Sequence, residues 1–313
     1  MTLARAIELA RGAKDRAYPK PGVGAVVVAN GEVVGEGATE SGGRHAEVVA
    51  LDAAGERARA ATLYVSLEPC DHQGTTPPCT EAILAAGIER VVYGAADPNP
   101  EAAGGAEHLR AEGVDVELAD SFAARQVNEE WRTWIVEGRP FVIYKAGVTL
   151  DGRVALPRAR WVTGEESRRT VHELRAAVDA VGVGGGTVRA DRPRLDARGV
   201  EAPRGQPRRL AFSRGPLPDG VELELRSGPI ADELRELGSE GVQSLLLEGG
   251  PTLAAAFLEQ GLVDKLMLFV APWLAGAGPA AFPAALPSPR TLTRLASSRI
   301  GQDVLLEAYV REP

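Results

Sequence analysis

Four residues among the first eighty constrain how this chain can fold, because together they match the needs of one zinc ion. They are His45, Glu47, Cys70 and Cys79, and the sequence has no other cysteines. Zinc accepts imidazole and thiolate ligands in a tetrahedron, and a catalytic site keeps one position open for water. One histidine and two cysteines leave that fourth position open. The sequence therefore predicts a fold that brings residues 45, 70 and 79 to one metal.

Glu47 adds the acid and base chemistry. It follows His45 by two residues, so its carboxylate can reach a water at the metal without being a ligand, as in the H-x-E…P-C…C pattern of zinc deaminases. We predict that Glu47 is the catalytic general acid and base. His45 and Cys79 each begin a predicted helix, and the helix dipole is expected to favour the thiolate form of Cys79. The alternatives are a structural zinc site that His72 closes as a fourth ligand, or two buried free thiols without a metal.

The composition is that of an ordinary globular protein, with 44% hydrophobic and 25% charged residues. Its 313 residues exceed the usual size of one hydrophobic core, so two domains are expected. A net charge of −8 argues against a nucleic acid held through its phosphates. The apolar runs are too short and too interrupted to span a bilayer, and the N-terminus lacks the apolar core of a signal peptide. We therefore predict a cytoplasmic enzyme or binding protein with no nucleic-acid or membrane partner.

The first 139 residues alternate between strand and helix patterns. Apolar residues at helical spacing follow Thr2, and Asn30-Gly31 between two apolar runs predicts a hairpin. The predicted strands are residues 23–29, 32–37, 62–67, 90–93 and 114–118. The predicted helices are one that begins at Thr2, three over residues 45–57, 79–86 and 121–137, and one near Glu107. This order predicts a three-layer α/β/α domain.

Gly138-Arg139-Pro140 breaks the pattern, and we place the domain boundary there, between residues 1–139 and 140–313. In the second domain, residues 141–150, 178–183 and 244–247 are predicted strands, and residues 203–229 are predicted loops with a short strand near Leu210. Gly249-Gly250 precedes a helix predicted over residues 253–260. Exposed N–H groups at this helix start suit a phosphate, and the alternative is that Thr252 is simply the N-cap.

Several strings resemble one family, the bifunctional riboflavin-biosynthesis deaminase/reductases. In the first domain they are His45-Ala46-Glu47-Val48, Leu67-Glu68-Pro69-Cys70, Gly74-Thr75-Thr76-Pro77-Pro78-Cys79 and Asp97-Pro98-Asn99-Pro100. In the second they are Lys145 through Asp151-Gly152, Trp161-Val162-Thr163, His172-Glu173-Leu174-Arg175-Ala176, Thr187-Val188 and Asp191-x-Pro193-x-Leu195. The long insert between the two cysteines separates this family from the nucleoside and tRNA deaminases.

The resemblance implies an α/β protein with a cytidine-deaminase-like first domain and a dihydrofolate-reductase-like second domain that uses NADPH. The implied substrate is a small phosphorylated pyrimidine, 2,5-diamino-6-ribosylamino-4(3H)-pyrimidinone 5′-phosphate, which is deaminated before its ribosyl group is reduced to a ribityl chain. By motif position, the residues that face NADPH would be Gly147, Trp161, Thr187, Asp191, Ser213, Gly250, Pro251, Thr252, Leu253, Ala254, Ala255 and Ala256. Those that face the sugar phosphate in the reductase would be Arg175, Leu195, Arg198 and Glu248.

Some positions depart from the residues usual in this family. Lys20 stands where asparagine is usual, Thr75 replaces a basic residue, and Asp196 replaces a threonine. We hypothesise that Lys20 compensates for the charge lost at position 75, and that the polar insert carrying His72 belongs to substrate recognition. The alternative for Arg198 is a solvated surface charge.

Two alternative functions also follow from the sequence. One is a zinc deaminase whose second domain binds or assembles without reducing. The other is a nucleoside or tRNA deaminase, which the acidic charge and the long insert disfavour. We expect the protein to form a homo-oligomer.

Overall fold

The computed structural model describes residues 2–74, 77–157, 159–282 and 289–313. Two compact units are formed, one that reaches Val136 and one that extends from Glu137 to Glu312. Within the described ranges, each helix is too short or too polar to cross a membrane.

The first unit contains a five-stranded sheet. Its strands are β1 (Gly24–Ala29), β2 (Glu32–Ala38), β3 (Thr62–Val65), β4 (Arg90–Tyr93) and β5 (Asp115–Leu118), in the order β2-β1-β3-β4-β5. β1 is antiparallel to β2 and β3, while β3, β4 and β5 run parallel. Asn30 and Gly31 have φ angles of 52° and 82°, so the predicted hairpin between β1 and β2 is confirmed.

Helices cover both faces of this sheet. They are α1 (Thr2–Ala17), α2 (Ala46–Ala54) with a 3-10 turn after it (Gly55–Ala58), α3 (Cys79–Ala85), α4 (Gly105–Ala111), α5 (Phe122–Val127) and α6 (Glu129–Glu137). Ala50 of α2, Ile83 of α3 and Leu109 of α4 share the main core with the strands, whereas Ile7 of α1 packs with Val127 of α5 in a separate cluster. The three-layer α/β/α prediction is confirmed.

The predicted single helix over residues 121–137 is wrong, because the chain forms two helices that meet at Asn128. The Asn128 side chain accepts a hydrogen bond from Gly22 N and donates one to Gly22 O, both at 2.9 Å. This pair of bonds fixes the side chain of Asn128, whose backbone leaves the helical conformation at φ −116° and ψ 32°. A contact 106 residues away in the sequence therefore ends α5.

Glycines let α2 approach β2 very closely. A Cβ added at Gly35 or at Gly37 would lie 2.2 Å from the carbonyl oxygen of Ala50 or Ala46, respectively. No side chain fits in that space, so backbone lies directly against backbone. The first turn of α2, which contains Glu47, is therefore set directly by the position of β2.

The Gly37→Ala substitution tests this contact. We expect it to destabilise the first unit by about 1–3 kcal/mol, because α2 must move away from the sheet to admit the methyl group. Faster hydrogen exchange of the β1 and β2 amides would measure the loss.

Gly12→Ala in α1 is the matched control, since a Cβ there meets no atom within 4 Å. Alanine is a better helix former than glycine by up to about 1 kcal/mol, so exchange in this variant should be unchanged or slower. Equal exchange in the two variants would contradict the proposed steric role of Gly37.

The second unit contains an eight-stranded sheet in the order β12-β13-β11-β6-β10-β7-β8-β9. The strands are β6 (Phe141–Thr149), β7 (Ala180–Gly184), β8 (Arg208–Phe212), β9 (Glu224–Arg226), β10 (Ser244–Leu247), β11 (Lys265–Ala271), β12 (Thr293–Ile300) and β13 (Asp303–Tyr309). From β9 to β11 in this order, each strand runs parallel to its neighbour. β13 is antiparallel to both of its neighbours, β11 and β12. The helices are α7 (Glu165–Ala177), α8 (Gly185–Asp191), α9 (Ile230–Ser239) and α10 (Pro251–Glu259).

Two details of the second unit differ from the sequence predictions. β9 lies in the segment predicted as loops, although Val221 to Arg226 alternates apolar and charged residues as an edge strand does. The alternative that Thr252 caps α10 is wrong, because Gly250 is the N-cap and Pro251 is the first helical residue. Proline is well suited to that position, since its missing N–H would have no partner inside the helix.

A buried ion pair fixes the start of β6. Arg139 donates to both carboxylate oxygens of Asp264 at 2.8 Å, and Val142 N donates to the same carboxylate at 2.8 Å. Both side chains are buried, and each has a second partner, since Arg311 also binds Asp264 and Glu137 also binds Arg139. Arg139 is therefore anchored within the second unit.

Candidate functional site

His45, Cys70 and Cys79 come together in the first unit. His45 Nδ1 lies 3.1 Å from Cys79 Sγ and 3.4 Å from Cys70 Sγ, and the three ligand atoms are all within 4.8 Å of one another. The set of one imidazole and two sulfurs fits zinc. Among the described residues, no fourth histidine, cysteine or carboxylate joins this group. The structural alternative, with His72 as a fourth ligand, is therefore not supported.

Each of the three residues is placed by a different part of the fold. His45 is the N-cap of α2, Cys79 is the first residue of α3, and Cys70 lies in the loop after β3. The loop of Cys70 is held by the buried Glu68, whose carboxylate accepts hydrogen bonds from the backbone N–H groups of three residues that follow β4. These donors are Asp97 at 3.1 Å, Gly104 at 3.3 Å and Ala106 at 3.2 Å.

The two thiols are close enough for each to affect the pKa of the other. A hydrogen bond from Cys79 lowers the pKa of Cys70 to about 4, against burial and with further help from His45. The same hydrogen bond, together with burial, raises the pKa of Cys79. The expectation that the start of α3 favours the Cys79 thiolate concerns the metal-bound form of the site and stays a prediction. A cation between the two sulfurs would replace the proton of the hydrogen bond that joins them.

Glu47 lies in the first turn of α2 and is 3% exposed. Burial raises its pKa to about 7, and the negative charge of Cys70 adds to the rise. A carboxyl group with a pKa near neutrality can both accept and donate a proton at physiological pH. Its position suits the predicted role of general acid and base.

The residues predicted to bind the substrate in this site differ in how exposed they are. Lys20 is exposed, and its positive charge opposes the rise of the His45 pKa that Cys70 causes, so it lies near the metal group. His72 is half-buried, and its Nδ1 is a buried atom with no hydrogen-bond partner among the described residues. Thr75, which the charge-compensation hypothesis invokes, lies outside the described residues.

The second unit has a cleft of about 600 Å³ beside the carboxyl ends of β7 and β8. Ligands of parallel α/β sheets bind at such strand ends. The cleft is lined by Gly184, Gly185, Gly186, Phe212, Ser213, Arg214, Arg226, Ser227, Gly228, Pro229, Ile230, Thr252, Leu253, Ala256 and Gln260. Four residues predicted to face NADPH are among them, namely Ser213, Thr252, Leu253 and Ala256.

The other residues predicted to face NADPH do not line this cleft. Gly250 lies close to Thr187, since a Cβ added to it would be 3.5 Å from Thr187 Oγ1. Ala254 is buried in the core, Ala255 is half-buried, and Asp191 ends α8. Trp161 is exposed between the guanidinium groups of Arg160 and Arg168, at 5.0 and 5.4 Å from its ring, and Gly147 on β6 faces Thr163.

The sequence predictions missed one wall of the cleft. Arg226 ends β9, a strand that was not predicted, Ser227 and Gly228 follow it, and Ile230 begins α9. Arg226 is held by a group of carboxylates, those of Glu224, Glu233, Glu236 and Glu240. The charge of Arg226 is therefore already matched within the protein. Arg214, which also lines the cleft, is an exposed cation.

The residues predicted to face the sugar phosphate form one connected cluster. Glu248 accepts hydrogen bonds from Lys145 at 3.0 Å and from Arg175 at 2.6 and 3.1 Å. Arg175 also donates to Asp196 O at 3.2 Å, and Arg198 pairs with the Asp196 carboxylate at 2.6 Å. Leu195, next in the chain, is buried with a φ of 57°, a backbone conformation that is strained for leucine.

Glu248 is held in its charged form. Burial opposes its ionisation, but the charge of Lys145 and the hydrogen bonds from Arg175 outweigh burial and lower its pKa to about 2. Because the folded pKa lies below the ordinary value of 4.5, ionised Glu248 stabilises the fold above pH 4.5. That stability is lost as the pH falls from 4.5 towards 2.

We therefore expect an acid-sensitive second unit. Urea unfolding of the protein at pH 6 and pH 3.5 should show a loss of roughly 1 kcal/mol that depends on Glu248. Glu248→Gln should lack this part of the loss, because glutamine does not titrate. The expectation fails if the two proteins lose the same stability between these pH values.

The comparisons with known proteins agree with both sites. A family model described as the cytidine and deoxycytidylate deaminase zinc-binding region matches residues 1–95, and one described as the RibD C-terminal domain matches residues 140–306. The riboflavin biosynthesis protein RibD of Aquifex aeolicus is 39% identical over 310 residues, covering 87% of this chain and 86% of the relative. The chain belongs to the RibD family.

Solved RibD structures share the fold of the whole chain. An Acinetobacter baumannii RibD is similar with a TM-score of 0.85 and 33% identity, covering 98% of this chain and 97% of the other. A Thermotoga maritima protein, described as a diaminohydroxyphosphoribosylaminopyrimidine deaminase/5-amino-6-(5-phosphoribosylamino)uracil reductase, has a TM-score of 0.82 and 32% identity over the same shares. This RibD chain is thus a bifunctional enzyme of riboflavin biosynthesis, with a zinc-binding deaminase domain and an NADPH-dependent reductase domain.

Proposed function

We propose that the two sites of this chain act in turn on one phosphorylated pyrimidine. The deaminase site would hydrolyse the exocyclic amine of 2,5-diamino-6-ribosylamino-4(3H)-pyrimidinone 5′-phosphate, and the reductase site would convert the ribosyl group of the product to a ribityl chain. The observation that carries this proposal is the convergence of His45, Cys70 and Cys79 beside the buried carboxyl group of Glu47. The assignment of the substrate follows that of the Thermotoga maritima relative.

In the deaminase site, His45 Nδ1 and the sulfurs of Cys70 and Cys79 would hold the zinc. When bound, zinc supplies the Lewis acid that activates water. Glu47 would take a proton from the attacking water and deliver it to the exocyclic nitrogen, which leaves as ammonia. A pKa of about 7 allows Glu47 both to take up the proton from water and to release it to the leaving nitrogen.

In the reductase site, the cleft beside α10 would hold NADPH, and the Arg175 cluster would hold the phosphate of the substrate. The cluster contains four cations, Lys145, Arg175, Arg194 and Arg198, against the two carboxylates of Asp196 and Glu248. The excess of two positive charges suits a phosphate dianion. Arg175 is the strongest candidate for direct contact, because Glu248 fixes the direction of its guanidinium group.

The extent of the domains and the cellular setting are further parts of the proposal. The two compact units divide between Val136 and Glu137, and the family match begins at residue 140, so both support a boundary close to the predicted one between residues 139 and 140. Arg139 pairs within the second unit, so we propose that the linker ends just before it. We propose a cytoplasmic homo-oligomer that acts on small molecules, and the net charge of −8 supports a function without nucleic acid.

Separate assays of the two reactions test the proposed function. Glu47→Gln should lower the rate of deamination by about 100-fold or more, because glutamine cannot transfer the proton. The same sample should bind zinc as the wild type does and oxidise NADPH at the wild-type rate with the deaminated substrate.

Arg175→Ala is the reciprocal variant. It should raise the reductase KM for the deaminated substrate by about 10-fold or more, since it removes a charged partner of the phosphate, and it should leave deamination unchanged. A wild-type chain that deaminates but never oxidises NADPH would support the alternative of a non-reducing second domain. Normal deamination by Glu47→Gln would refute the assigned role of Glu47.

Lys20→Ala tests the charge-compensation hypothesis. If Lys20 contacts the substrate, the deaminase KM should rise by about 5-fold to 20-fold with little change in kcat, as for the loss of one charged contact. Lys14→Ala is a suitable control, because Lys14 pairs with Glu130 at 2.8 Å. An unchanged KM in Lys20→Ala would end the hypothesis.

A further inference from the structure

The two residues that directly follow the cysteine ligands are hydrogen-bonded to each other. Asp71 follows Cys70, Thr80 follows Cys79, and Thr80 Oγ1 donates to Asp71 Oδ1 at 2.7 Å. This bond joins the two ends of the insert that separates the cysteines. Each of its two residues is next in the chain to a cysteine. Neither residue is a proposed zinc ligand or the proposed acid and base.

The same carboxylate reaches a third element. His108 Nδ1, on α4, lies 2.6 Å from Asp71 Oδ1. Backbone hydrogen bonds support the arrangement, since Asp71 N donates to Ala102 O at 3.2 Å and Thr80 N donates to Cys70 O at 3.4 Å. Asp71 therefore connects the loop of Cys70, the start of α3 and the middle of α4.

The three side chains differ in their surroundings. Thr80 is fully buried, whereas the side chains of Asp71 and His108 are 28% and 37% exposed. A partly exposed pair adds little to the stability of a fold. Its geometric effect is larger, because a bond at the residue next to a ligand restricts how far that ligand can swing away.

We propose that Asp71, Thr80 and His108 form a clasp that retains the zinc of the deaminase site. For zinc to leave, its bonds to both cysteines must break. The Asp71–Thr80 bond ties the two cysteine segments together, and His108 ties both to α4, so each cysteine stays within reach of the metal. The clasp thus acts on the rate of zinc loss, and its residues are positioning residues. This inference rests on the proposed zinc ligands.

The test is the rate at which the full-length, zinc-loaded protein releases zinc to an excess of a coloured chelator. Asp71→Ala and Thr80→Val each remove the bond between the cysteine segments and should release zinc about 10-fold to 100-fold faster, as expected for the loss of groups that orient metal ligands. Asp71→Asn keeps an oxygen acceptor for Thr80 and should restore most of the slow release. His108→Ala keeps the Asp71–Thr80 bond and should show a smaller increase.

Asp115→Ala is the matched control, because Asp115 is an exposed carboxylate of the same unit that pairs with Arg90 at 3.1 Å. Its release rate should equal that of the wild type. NADPH oxidation by every variant should be normal, which shows that the second unit is folded, and the melting temperature of each variant reports on the first unit.

Release rates within 2-fold of the wild type in both Asp71→Ala and Thr80→Val would overturn the clasp. The clasp would also be overturned if zinc release became faster only in proportion to a lower melting temperature of the variant. The substitution would then have reduced the stability of the fold and not the retention of the metal. A wild-type protein that binds no zinc would refute the proposed metal ligands themselves, which is a separate outcome.

Discussion

The direct contact between the backbones of α2 and β2 is the constraint on which the deaminase site depends. Gly35 and Gly37 remove the side chains that would otherwise separate the helix from the strand. Because α2 begins at the metal group, this contact sets both His45, at the N-cap, and Glu47, in the first turn. The sheet therefore positions the proposed zinc ligand and the proposed acid and base through main-chain atoms, which are less able to adjust than side chains.

The two sites use buried carboxyl groups in opposite ways. Burial acts on Glu47 with no cation strong enough to offset it, so its pKa rises to about 7 and it can exchange protons. The Glu248 side chain is only 8% exposed, but Lys145 and Arg175 hold its pKa near 2, so it remains an anion that orients a guanidinium group. The same residue type is thus the proposed proton carrier in one unit and a fixed charge in the other.

Much of the secondary structure could be predicted from the sequence, because local periodicity and turn residues are strong signals in the first unit. The hairpin at Asn30-Gly31 and the strand over residues 90–93 are examples. The break at Asn128 could not be predicted, since its cause is a pair of hydrogen bonds to Gly22 on a distant loop. β9 was missed for a different reason, because its short alternating pattern is embedded among prolines and glycines.

The sequence by itself determined the chemistry of the deaminase site, because zinc ligation depends on residue types that have few substitutes. His45, Glu47, Cys70 and Cys79 were identified from their spacing and their neighbours. Only the tertiary structure decided which charges remain free to act. Arg226 is held by surrounding carboxylates while Arg214 is exposed, and Asp71 joins two cysteine segments to α4. Such pairings depend on distances between elements that are far apart in the chain, and no local pattern records them.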